Sequence, residues 1–128
     1  MIVRAIGGLL AGALVWKAIV ALFTLAGNLV WPAYAAVEVQ RVFTLEMFAS
    51  RLLVGGLANL AFGAVAAWVA GAEKNAFRLA LSAWMIFSVV DHTLVWDQFP
   101  LWYHLLYLAC IVPIALLGAR LVQQRALA

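Results

Sequence analysis

Residues 51–71 read RLLVGGLANLAFGAVAAWVAG. From Leu52 to Ala70 there is no charge, and Asn59 is the one polar side chain. A helix needs about 20 mostly apolar residues to cross the roughly 30 Å of hydrocarbon in a bilayer, and this stretch supplies them. It also has an internal rhythm. Arg51, Gly55, Asn59, Gly63, Ala67 and Gly71 recur every four residues, which puts them on one slowly drifting helix face. Small residues let another backbone come close, so this face is read as a packing surface.

Three further stretches have the same character. The four predicted spans run from Ala5 to Val30, Thr44 to Val69, Phe77 to Val95 and Leu101 to Leu121. The expected fold is all-α, a four-helix transmembrane bundle forming a single domain over residues 1–128. Composition agrees. The chain is 69% apolar and 10% charged, against roughly 45–50% and about 25% in soluble domains. A soluble protein this small could not hide that much apolar surface. Eight Lys and Arg are scattered from Arg4 to Arg125, so there is no nucleic-acid patch. The single cysteine, Cys110, lies in an apolar run. It excludes an internal disulfide and CxxC redox chemistry.

The breaks have local causes. Trp31-Pro32 ends the first span, because the residue before proline is pushed out of the helical region. Residues 71–75, GAEKN, form a polar turn, and Pro100 suits the first turn of the last helix. Turns this short predict antiparallel consecutive helices, and Pro113 predicts a kink in the last one. Ala33-Tyr34-Ala35 has the form of a signal cleavage site. The apolar stretch before it exceeds the 7–15 residues of a signal core, and Lys17 interrupts it, so it reads as a retained span. The apolar linker from Trp31 to Phe43 is expected to lie along the membrane surface, with Val37, Val39 and Val42 towards lipid or the bundle.

Positive charge marks a side. Arg4, Lys74, Arg78, Arg120 and Arg125 fall at the two termini and the second turn, which share one face in a four-span topology. Both termini are therefore expected in the cytoplasm. Trp31, Tyr34, Trp96, Trp102 and Tyr103 mark the opposite interface. Gly8 and Gly12 in the first span have GxxxG spacing, read here as packing within the chain.

Ionisable groups inside a membrane are costly and face a partner or a cavity. Lys17 and Asn59 fall at similar depth and are expected to meet. Arg51 and Asp91 are expected to form an ion pair about two turns below the outer face. His92 and His104, with Glu46, Asp91 and Asp97 near the same level, form the one set of side chains with metal-ligand chemistry. It has no HExxH or comparable spacing, and a bis-histidine haem has no supporting motif. No metal or other cofactor is expected. There is no P-loop, GxSxG, GxGxxG or lipidation motif, and no catalytic residue is assigned.

The segment from Leu94 to His104, LVWDQFPLWYH, leads into the last span with its Pro113 and Gly118. It resembles a group of small uncharacterised bacterial four-span membrane proteins with a W-D-x-F-P-x-W-Y-H turn before the last helix. That resemblance implies an inner-membrane protein and lends no activity. Other four-span families fit less well. Small multidrug exporters need a glutamate where Lys17 stands, fluoride channels need a Thr-Thr-Phe-Ser break, and vitamin K epoxide reductase relatives need paired cysteines. The leading expectation is a non-enzymatic membrane protein, structural or accessory to a complex. A small transporter or channel using Lys17, Asn59, Arg51 and Asp91 is the first alternative. A membrane enzyme or metal or haem carrier at the outer end is the second. Expected partners are the lipid bilayer and further copies or other membrane subunits.

Overall fold

A computed structural model describes residues 1–125, with side chains given through Gln123. The Arg125 side chain, one of the charges used for orientation, lies outside the described residues. Five helices are present, and no strand occurs among the described residues: α1 (Ile2–Val30), α2 (Pro32–Glu38), α3 (Leu45–Ala70), α4 (Lys74–Leu94) and α5 (Leu101–Arg125). A single 3₁₀ turn, Trp96–Gln98, precedes α5. α1, α3 and α5 (over Leu101–Gln123) are long and apolar enough to cross a membrane. By that measure the chain is a membrane protein. α4 is 21 residues long and includes Lys74, Arg78, Asp91 and His92, and it falls outside the three.

The boundaries follow from local chemistry. α1 stops before Trp31, and Pro32 opens α2 at a position where its missing N–H costs nothing. Within the linker expected along the membrane surface, residues 32–38 are helical. Val39 and Val42 in the same segment are exposed and do not pack on the bundle. Thr44 caps α3: its hydroxyl accepts from the Met47 amide at 3.4 Å, and its own amide donates to Met47 Sδ at 3.5 Å. Gly71 ends α3 with φ +62°, a left-handed conformation that glycine adopts without strain. α5 continues through Pro113 as one helix.

α3 is the centre of the bundle, packed between α1 and α5. Register gives the directions. Gly8 lies against Ala66 and Gly12 against Phe62, so α1 and α3 are antiparallel. Gly55 lies against Tyr107 and Gly63 against the Ala115 backbone, so α3 and α5 are parallel. Trp16 meets Trp84 edge-on at 5.4 Å, which sets α4 alongside α1. Adjacency in sequence does not fix the contacts: α3 and α5, which are not consecutive, pack as extensively as α1 and α3. α4 packs more on α1 than on α3 or α5. The cause is that the glycine stripe of α3 is already used by α5, at Gly55 and Gly63.

The bundle is unevenly closed. On α1 the buried residues are Ala5, Gly8 and Gly12, all in its first half. Beyond Ala13 no α1 residue is buried, and a Cβ added at Gly27 would meet nothing within 4 Å. One end is therefore sealed by small-residue contact and the other is splayed. At the sealed end Arg4 reaches the α3–α4 turn, with Nη1 donating to Ala70 O at 3.3 Å and Nε 3.5 Å from a Glu73 oxygen.

A Cβ at Gly63 would run into the Ala115 backbone, whereas one at Gly56 would meet only Ile114 Cδ1 at 3.6 Å, an ordinary contact. Gly63→Ala is expected to destabilise the protein by about 2 kcal/mol or more, and Gly56→Ala to be near neutral. Equilibrium unfolding of both variants in mild detergent checks this.

Candidate ligand cavity at the splayed end

The splayed end holds a cavity of about 450 Å³. α1 contributes Trp16, Lys17, Val20, Phe23, Thr24 and Gly27 to its wall. α3 contributes Ser50, Arg51, Val54 and Gly55, and α4 contributes Asp91 and His92. Tyr103 and Tyr107 of α5 close the far side, while Trp31, Tyr34, Glu38 and Arg41 surround the mouth. Four of the sequence-selected residues, Lys17, Arg51, Asp91 and His92, thus face one space. Two expected pairings, Lys17 with Asn59 and Arg51 with Asp91, do not form.

Asn59 does not meet Lys17. It is 3% exposed and fully engaged elsewhere. Its Oδ1 accepts from Trp84 Nε1 at 2.9 Å, and its Nδ2 donates to Gly55 O at 2.9 Å and to Tyr107 Oη at 3.4 Å. It ties α3 to α4 and α5, a packing role. Lys17 is exposed at the cavity rim. Trp84, on the neighbouring helix, took the place assigned to lysine because an indole N–H can be buried with a single acceptor.

Arg51 does not pair with Asp91. Among the described residues no carboxylate lies within 4.0 Å of it, and Asp91 is exposed at the rim. The guanidinium is instead held by neutral groups. Nη1 donates to Tyr34 Oη at 2.7 Å, and the carbon centre sits 5.0 Å from the Phe43 ring centroid and 5.3 Å from that of Phe99. Phe43 and Phe99 are parallel within 1° at 5.9 Å. Arg41 also lies 5.3 Å from the Phe99 centroid. Two guanidinium groups therefore share one ring through cation–π contact, with no carboxylate in salt-bridge contact with either. Arg41 has φ +58°, a conformation uncommon for a non-glycine residue. Arg51 Nε is buried without a hydrogen-bond partner, and so is Trp16 Nε1.

The two histidines join each other. His92 Nδ1 and His104 Nδ1 are 2.8 Å apart, and His104 Nε2 is 3.1 Å from the carbonyl of Trp96. A carbonyl only accepts, so His104 Nε2 carries the proton and donates. When both rings are neutral, His104 Nδ1 then has the lone pair, and His92 Nδ1–H donates to it. His92 Nε2 is left as an acceptor on a ring that lines the cavity. His104 is completely buried and stacks on Trp96 at 4.7 Å. The metal-ligand set is corrected accordingly. The histidine nitrogens face each other, Glu46 and Asp97 are exposed, and no cluster of three His, Cys, Asp or Glu exists among the described residues.

Tyr34, Phe43, Phe99 and Tyr107 were missed as site residues. The sequence offers one partial signal, Arg41 two residues before Phe43; no arginine lies near Phe99 in the chain, so its contacts with Arg41 and Arg51 have no linear signature. No family model, curated protein or solved structure matches this chain.

The geometry makes two predictions. Nitrogen-15 NMR at neutral pH should find His104 as the Nε2–H tautomer and His92 as the Nδ1–H tautomer; the opposite assignment would contradict the Trp96 contact. Since Arg51 and Asp91 are not paired, the charge swap Arg51→Asp with Asp91→Arg should accumulate no better than Arg51→Asp alone. Rescue by the second substitution, seen by immunoblot of membranes, would restore the ion pair.

Proposed function

We propose that this is a four-span inner-membrane protein of bacterial type that handles a ligand in its outer cavity, as a small transporter or carrier. In this reading α4 is the remaining span. At about 1.5 Å per residue, its 21 residues cover the hydrocarbon. Its Ser88 and His92 are buried against the bundle, while Ile86, Val90 and Leu94 are exposed. Both termini are then cytoplasmic, because Arg4, Lys74, Arg78 and Arg120 gather at the sealed end. The cavity opens to the opposite side.

One observation carries the reading. Lys17, Arg51, Asp91 and His92 line one cavity, although none of the four is ion-paired. A purely structural role would have each polar group satisfied by a neighbour, as Asn59 is; Arg51 is held by Tyr34 and His92 by His104, but Arg51 Nε is left without a partner and Lys17 and Asp91 stand at the rim without an ion pair among the described residues. Groups inside a membrane that are left facing a cavity mark a ligand or ion path.

Water access tests this. Val20 lines the cavity, whereas Leu22 lies at nearly the same depth and is exposed on the outside of α1. In a Cys110→Ala background, Val20→Cys should react with an impermeant maleimide added from the outer side, and Leu22→Cys should not. Equal reactivity, or no reaction at Val20→Cys, would remove the cavity reading. Reaction only from the cytoplasmic side would reverse the topology.

A further inference from the structure

We infer that the cavity takes an amphiphile with one anionic oxyanion head group, carboxylate or phosphate, drawn laterally from the outer leaflet; this rests on the ligand-binding reading above. The charge count comes first. The lining holds three cations, Lys17, Arg41 and Arg51, against two carboxylates, Glu38 and Asp91. One positive charge is left over, and the half-buried Arg51, where a charge is expensive, has no carboxylate in salt-bridge contact among the described residues. An anion removes that cost.

The donors come second. Arg41 and Arg51 both lie over Phe99, and neither has a carboxylate in salt-bridge contact. Phe99 and Tyr34 fix the Arg51 guanidinium without neutralising it. A guanidinium presents paired N–H groups that match two oxygens of a phosphate or carboxylate. The buried Nε–H of Arg51 is an unused donor in the same group. Lysine alone would offer a mobile point charge; here the arginines are the positioned ones.

Shape argues for a chain on that head group. The cavity wall along α1 extends from Trp31, just past its end, down to Trp16, about 22 Å at the rise of a helix. The arginines sit towards its upper part, and Trp16, Val20, Phe23 and Val54 form an apolar surface reaching below them. Lys17 and Phe23 are exposed at the rim, so the opening continues sideways to mid-helix. In a spanning helix that level faces acyl chains, not water. Apart from Lys17 at its open edge, this lower part offers a free anion nothing, whereas an acyl chain fills it.

The experiment uses the full chain in phosphatidylcholine nanodiscs. They are doped with phosphatidic acid carrying a photoactivatable acyl chain, or with phosphatidylcholine carrying the same chain. Adducts at Trp16, Val20 and Phe23 are normalised to those at Leu22 and Leu29, which are exposed on α1 and meet either lipid. Phosphatidic acid should label the cavity wall about tenfold more than phosphatidylcholine, the scale of one charged hydrogen-bonded contact. Arg51→Gln and Arg41→Gln should each abolish most of that preference. Arg41 is exposed outside the helices, so its variant tests the idea even if Arg51→Gln fails to fold. Excess inorganic phosphate should not compete. Equal labelling by the two lipids, or a preference unchanged in both variants, would overturn the inference. Full competition by inorganic phosphate would also overturn it, by making the free anion the ligand. Absence of cavity labelling by either lipid overturns it too. If Val20→Cys still reacts from the outer side in that case, the cavity reading survives; if it does not, both fall.

Discussion

Everything in this bundle depends on how closely α3 can approach two other backbones at once. In a membrane there is no hydrophobic driving force between helices, so packing and hydrogen bonds must hold them. Gly63 and Gly118 bring α3 and α5 into backbone contact, while Gly8 and Gly12 do the same for α1 on the other side. Asn59 then locks the arrangement, joining Trp84 and Tyr107 through one amide. Without those contacts α4 would have no platform, and the two histidines would not meet.

The same contact explains where the cavity lies. α1 has small residues at positions 5, 7, 8, 11, 12 and 13, then Trp16, Lys17, Val20 and Phe23 on the side facing α3 and α4. Close approach is possible only in the first part. Past Ala13 larger side chains hold the helices apart, and the space between them collects the polar groups that no helix face could bury. Cavity and seal are thus two results of one change in residue size along α1.

Much of this was legible in the sequence. The stripe from Arg51 to Gly71, the breaks at Pro32, Gly71 and Pro100, and the packing role of Gly8 and Gly12 all follow from residue size and spacing. Depth was also legible: Arg51, Asp91 and His92 do share a level. Partner choice was not. Pairing by opposite charge predicted Arg51 with Asp91, but depth does not fix azimuth. Asp91 stands on the rim, one residue from a histidine that points inward. Tyr34 and Phe99 reached Arg51 because α2 and the turn before α5 fold over it, and neither contact has a signature in linear spacing. The same holds for Asn59, whose partner was decided by α4 lying across α1.

The uneven closure has a mechanical consequence. α1 is gripped from Gly8 to Trp16, which packs on Trp84, and has no buried residue further along, so it is a lever with its fulcrum towards one end. From Trp16 to Val30 its free arm is about 21 Å long. A tilt of only about 5° at the fulcrum would carry the far end by about 2 Å, since the arm grows by 1.5 Å with each residue. The sealed contacts would hardly move. The cavity's width is therefore the most easily altered dimension of the molecule, and α2, joined to the tip of the lever at Trp31 and Pro32, would travel with it.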